Sequence, residues 1–159
     1  MMQLIHKYLD NHNEILKKID KNKIISIYKI INKTIKKNKK IITFGNGGSA
    51  STAQHFITDW VKMANVIKKK KIRGLSLVDN IGIITAYAND ISYEKIFSGQ
   101  LESIVDKDDL CIAISVSGNS KNVLLATKKA NKLGAHTIGF LGYDGGKLKN
   151  LCKDYILVP

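Results

Sequence analysis

The spacing of hydrophobic positions divides the chain into two textures. Leu4, Tyr8, Ile15 and Ile19 recur near helical spacing, and Ile24, Ile27, Ile31 and Ile35 repeat it. This predicts a helical segment over residues 3 to about 37, with a break into two helices at Asp20 to Asn22. From about residue 40 the texture changes. Lys40-Ile41-Ile42-Thr43-Phe44 is a short β-branched run that ends in glycines, the pattern of a strand covered on both faces. Comparable runs predict strands over Ile72–Val78, Leu110–Val116, Thr137–Leu141 and Tyr155–Val158. Helical patterns fill the intervals, over Ser49–Met63, Ile81–Asn89, Ser92–Val105 and Ser120–Leu133.

Strands alternating with helices pair in parallel through right-handed crossovers. The predicted fold class is therefore α/β, a doubly wound five-stranded parallel sheet flanked by helices and preceded by the N-terminal helical segment. With no repeat and no proline-rich linker, residues 1–159 read as one domain. In such a sheet ligands bind beyond the carboxyl ends of the strands, near the point where strand order reverses. The loops that follow the strands are thus the place to look for chemistry.

Composition removes several function classes. Hydrophobic residues make up 44% of the chain, enough for a core and too many for a disordered protein. No stretch approaches the roughly 18 apolar residues of a membrane helix. Met1 to Asn13 lacks the basic start and apolar run of a secretion signal. Cys111 and Cys152 are too few for a disulfide framework. Together these predict a cytoplasmic protein with reduced cysteines and no membrane partner. The net charge of +13 invites a nucleic-acid reading, yet among 26 basic residues only Arg73 is arginine. Base readout favours the arginine fork, and the lysines are scattered, so no nucleic-acid partner is expected. The dense run Lys68 to Lys71 reads as an exposed connector. A positive field still draws anions inward.

Two loops carry the candidate chemistry. Gly45-Asn46-Gly47-Gly48-Ser49-Ala50-Ser51 leaves the first strand and enters a helix. Its glycines let the backbone approach an anion and aim successive N–H groups at it, and the helix N-terminus adds favourable potential. Taken alone, it is also an ordinary glycine turn with a serine cap. Gly45, Gly47 and Ala50 further fit a dinucleotide fingerprint, with Asp79 as the ribose ligand. However, Asp79 lies about 30 residues on, where about 20 is usual, and no nucleotide cofactor is expected. Ser115-Val116-Ser117-Gly118-Asn119-Ser120 follows the third strand in the same manner. Its hydroxyls at a helix start suit a phosphate, and a dinucleotide fold does not call for this second loop. A further run, Gly142-Tyr143-Asp144-Gly145-Gly146, reads as a turn.

These motifs occur in a recognisable order. Gly45 to Ala50 with Ala53-Gln54-His55-Phe56, then Tyr87-Ala88-Asn89-Asp90, then Ser115 to Ser120, resemble the phosphoheptose isomerase family of the sugar isomerase (SIS) superfamily. The resemblance runs from the N-terminal helices to Pro159. It implies a homotetramer and an aldose–ketose isomerase that converts sedoheptulose 7-phosphate to D-glycero-D-manno-heptose 7-phosphate for lipopolysaccharide, capsule or other surface glycans. Carried over by position, Asn46, Gly47, Gly48 and Ser49 line the substrate site, and Asn89 and Asp90 contact the sugar. The phosphate loop contributes Ser115, Val116, Ser117 and Ser120. His55 and Asp59 fall where the family places a metal ligand and the catalytic carboxylate, with zinc as the implied metal. Four residues apart on a helix, they share one face.

Three departures from the family pattern stand out. Asp59 occupies the place of a glutamate. Val116 replaces a hydroxyl residue. The family also continues beyond the position of Pro159 with a long helix that supplies a glutamine and a second catalytic histidine, and neither has a counterpart in this sequence. The first and third departures raise a second reading, a non-catalytic SIS protein that binds sugar phosphate or acts as a scaffold.

Overall fold

A computed structural model describes residues 1–68 and 71–159. The connector predicted over residues 68–71 therefore falls largely outside the described residues. The elements are α1 (Met2–Lys18), α2 (Lys21–Lys36), β1 (Lys40–Gly45), α3 (Gly48–Lys68), β2 (Arg73–Ser76) and α4 (Ile81–Asp90). They continue with α5 (Ser98–Ile104), β3 (Leu110–Ser115), α6 (Lys121–Lys132), β4 (His136–Gly142) and β5 (Asp154–Val158). Single 3-10 turns occupy Tyr93–Lys95 and Lys147–Asn150. The predicted break between the first helices is a capped start. The Asp20 carboxylate accepts from the backbone N–H groups of Asn22 (2.8 Å) and Lys23 (3.3 Å), satisfying donors that a helix N-terminus leaves unpaired.

All five strands pair in parallel in the order β2-β1-β3-β4-β5. Alternation along the strands sorts the core onto two faces. Ile41, Leu110, Ile112, Ile114 and Ile138 pack with Ile27 of α2 and Ala53 and Ile57 of α3. Ile42, Phe44, Cys111 and Ala113 point the other way, against Ile96, Phe97 and Leu101 and against Val123, Ala126 and Ala130 of α6. Burying one such Ile or Leu side chain is worth about 1.5–3 kcal/mol, and this accounts for the near-continuous apolar strands. Both cysteines are free and buried, and burial pushes each thiol up to about 12.

One predicted element differs. Residues 92–105 form not one helix but the 3-10 turn at Tyr93–Lys95 followed by α5. The N-cap Ser92 is extended (φ −175°), and Ile96 and Phe97 are driven into the core at 2% and 1% exposure. Tertiary packing overrides the local helical period here. α1, like α4, buries none of its residues; Leu4, Tyr8 and Leu9 of its apolar stripe are exposed.

At the opposite end of the sheet from the loops, Asp109 ties β1 to the β3 entrance. Its carboxylate, 1% exposed, accepts from the Lys40 and Asp106 backbone N–H groups, both at 2.8 Å. The Lys40 ammonium reaches Asp106 at 2.6 Å and Asp109 at 3.2 Å. The hydrogen bond from Lys40 holds the Asp106 carboxyl below its usual 3.8. Burial pushes the Lys40 ammonium down, but its bonds to Asp106 and Asp109 outweigh this and raise it above 10.5. A depressed carboxyl stabilises the fold above the ordinary carboxylate value and loses that contribution as pH falls through its folded value. A raised ammonium stabilises below its ordinary value and loses that contribution as pH rises through its folded value. Lys40→Gln is therefore expected to lower the melting midpoint by a few degrees at neutral pH. The gap to wild type should close as pH drops below about 3.8, measured by calorimetry across pH. A gap that stays constant into acid would contradict the link.

Candidate functional site

The strand order reverses between β1 and β3, and the loops after these two strands meet there. Between them lies a cavity of about 480 Å³. The β1 side contributes Asn46, Gly48, Ser49 and Thr52. The β3 side contributes Ile114, Ser115, Val116, Ser117 and Ser120, and Tyr143 closes the edge. The cavity thus brings together seven of the residues singled out in the two loops.

Helix geometry explains why this wall suits an anion. α3 begins at Gly48 and α6 at Lys121, so both N-termini turn the positive ends of their dipoles toward the cavity, although in α3 the N–H groups of Ser49, Ala50 and Ser51 already donate to Asn46 O and Gly47 O. Ser120 sits at the N-cap of α6 but makes no side-chain cap bond, which leaves its hydroxyl for a ligand. Ser115 Oγ accepts from Gly118 N (3.1 Å) and Ser117 Oγ accepts from Asn119 N (3.2 Å). Each hydroxyl therefore shapes the turn with its lone pairs and keeps its O–H as a donor. Thr52 differs, because its hydroxyl donates back to Gly48 O at 3.1 Å. No lining residue is an Asp, Glu, Lys, Arg or His. The cradle is built from neutral donors and helix ends.

The third glycine run is a turn, as predicted, with positive φ at Tyr143, Gly145 and Gly146, and it also braces the 115–120 loop. Gly142 N donates to Val116 O (3.1 Å), Leu148 N to Gly118 O (2.9 Å) and Lys147 N to Asn119 Oδ1 (3.2 Å). Gly118 itself has φ +62° and lies directly against the Gly145 carbonyl.

Other singled-out residues lie elsewhere. Gly47, at φ +53°, forms the tip of the first loop and faces a neighbouring cavity of about 260 Å³ bounded by Val78, Ile81 and Tyr93. Asn89 and Asp90 are exposed at the end of α4, hydrogen-bonded to each other at 2.8 Å, and neither lines the 480 Å³ cavity. Asp79 is exposed in the turn after β2 and lines neither cavity. Gly45 is small for a packing reason, since a Cβ there would stand 2.7 Å from Ile114 O. His55 and Asp59 share a face of α3 as predicted, with Nε2 and Oδ2 3.2 Å apart. Their side chains are 74% and 54% exposed and neither lines the cavity. Zinc takes three or four protein donors. Among the described residues no group of three or more His, Cys, Asp or Glu converges. The His55–Asp59 pair alone, with two donors, does not fit zinc.

Asn122 and Tyr93 did not stand out in the sequence. Asn122 is 2% exposed and exchanges reciprocal hydrogen bonds with Asn46, at 2.8 and 2.9 Å. The Tyr93 hydroxyl donates to Asn46 Oδ1 at 3.2 Å. An asparagine just inside a helix start reads as surface or cap, and only the meeting of two loops 76 residues apart reveals the pair.

Comparison with known proteins agrees with the motif order. Residues 7–142 match the SIS domain family. The chain is 40% identical to a probable phosphoheptose isomerase of Thermoplasma acidophilum over 96% of its own length and 83% of that protein's. Its fold superposes on a phosphoheptose isomerase from Francisella tularensis with a TM-score of 0.91 at 25% identity, covering 99% of this chain and 85% of that one. A second, from Neisseria gonorrhoeae, gives 0.83 at 29% identity, covering 98% and 84%. With its SIS sheet, its two glycine- and serine-rich loops and this level of identity over nearly its whole length, the chain belongs to the phosphoheptose isomerase family of phosphosugar isomerases.

Proposed function

We propose that the protein interconverts sedoheptulose 7-phosphate and D-glycero-D-manno-heptose 7-phosphate. The observation that carries this reading is the charge-free cradle where two helix N-termini and the hydroxyls of Ser115, Ser117 and Ser120 converge. Such a cradle binds a phosphate through oriented neutral donors. Aldose–ketose exchange moves a proton between adjacent carbons through an enediol, which needs a base and an acid near the sugar oxygens. In this reading Asp59 is the base and His55 its partner. Both ride on α3, whose first turn forms the cavity wall.

The proposal extends to assembly and context. The exposed apolar stripe of α1 supports self-association, with a homotetramer as the expected form. The family resemblance supports a cytoplasmic role in supplying heptose for surface glycans. The exposure of His55 and Asp59, outside the cavity lining, favours a second reading, a sugar-phosphate binder without turnover.

Proton NMR of sedoheptulose 7-phosphate with the purified protein, with and without added zinc, separates the two readings. New aldose anomeric signals are expected. Broadened substrate lines with no new signals would establish the binder instead, and neither effect would overturn both.

A further inference from the structure

The Asn46–Asn122 pair is chemically directed. An asparagine carboxamide can be turned end for end, exchanging its oxygen and nitrogen, unless its partners forbid it. Val123 N, which can only donate, gives its hydrogen bond to Asn122 Oδ1 at 2.9 Å. That fixes the sense of Asn122, so its Nδ2 donates to Asn46 Oδ1 (2.9 Å) and its Oδ1 accepts from Asn46 Nδ2 (2.8 Å). The Tyr93 hydroxyl, donating to Asn46 Oδ1 at 3.2 Å, takes the second lone pair of that oxygen. Among the described residues, one Nδ2–H of Asn46 is left over, on a residue that lines the cavity.

We infer that Asn122 is a positioning residue that, with the Tyr93 hydroxyl, locks Asn46 so that it offers the ligand an N–H donor and never its oxygen. The group that fits is an acceptor oxygen. The serine hydroxyls stand on the β3 side for the phosphate, and Asn46 stands across from them on the β1 side. The oxygen at Asn46 is therefore the reacting sugar carbonyl, whose negative charge grows as the enediol forms. A donor held there without reorganisation stabilises the transition state more than the ground state. Recognition of a sugar carbonyl rests on the isomerase reading above, while the lock itself does not.

The experiment follows both parts. In the wild type, the two Asn46 side-chain amide protons should exchange with water at clearly different rates by nitrogen-edited NMR, one being held by Asn122. In Asn122→Ala they should exchange alike. Equal rates in the wild type overturn the lock, whether or not the protein turns over sugar. In kinetics with sedoheptulose 7-phosphate, Asn122→Ala should lower kcat by about 10- to 100-fold, with KM within about threefold because the phosphate grip is untouched. A normal kcat, or a loss confined to KM, overturns the carbonyl role. Asn122→Asp keeps the acceptor for Val123 N and so guards against a folding failure. Its kcat relative to wild type should rise as pH falls toward about 5, because a protonated carboxyl can donate to Asn46 Oδ1 as the amide did. A flat ratio counts against the lock. A wild-type protein inactive on sedoheptulose 7-phosphate would instead remove the isomerase reading and leave the exchange result to decide the lock.

Discussion

Gly118→Ala is expected to destabilise the protein by about 2–5 kcal/mol and to weaken binding of sugar phosphate sharply. Gly118 has φ +62°, where any side chain is strained. A Cβ built on it runs into the Gly145 carbonyl, which is backbone and cannot swing aside as a side-chain tip could. The 142–148 segment is fixed to the 115–120 loop by hydrogen bonds to Val116 O, Gly118 O and Asn119 Oδ1. Relieving the clash means parting the two loops. That moves Ser117 and Ser120, so phosphate affinity falls with stability. Urea unfolding and titration with sedoheptulose 7-phosphate measure the two effects. Gly48→Ala is the control for folding, since a Cβ there meets nothing within 4 Å and φ is not positive. Its stability should stay within about 1 kcal/mol of wild type. A Gly118→Ala protein as stable as Gly48→Ala would mean that the contact between the loops is slack.

Asp59→Asn is expected to do the reverse, lowering kcat on the order of 10³-fold while leaving the melting curve in place. The carboxylate is half exposed, and its pairing with His55 is a surface contact worth about 0–1 kcal/mol. Asparagine keeps the size and loses the base. Asp59→Glu, which restores the residue that the family pattern has at this position, should stay within about 100-fold of wild-type kcat. Steady-state kinetics alongside thermal melts decide the matter. Full turnover by Asp59→Asn would exclude Asp59 as the base.

The strands were legible because each is a short apolar run bounded by polar, glycine or proline residues. Lys40–Phe44 and Thr137–Leu141 fall one residue per end from the observed β1 and β4 at most. The two candidate loops were legible because glycine and serine follow a strand and open a helix twice, in a recognisable order. What stayed hidden was set by contacts between distant segments. The helical period of residues 92–105 persists on paper, and only the core's demand for Ile96 and Phe97 breaks it. Gly142–Gly146 announces a turn but not that the turn braces Gly118. Asn122 has no sequence signature at all, because its partner lies 76 residues earlier. His55 and Asp59 were correctly placed on one helix face, but periodicity says nothing about whether that face meets the cavity.

The all-parallel sheet also fixes when the site comes into being. β1 has no hairpin partner, and its central neighbour β3 starts far along the chain, the Lys40 N–H reaching Asp109 69 residues later. Closing so long a loop costs entropy before any strand contact repays it. The cavity walls follow those two strands, one wall each, so neither half of the chain carries a complete cradle. Ligand protection against proteolysis should accordingly arise in one late step of refolding, together with the β1–β3 pairing, rather than accumulate as the helices form.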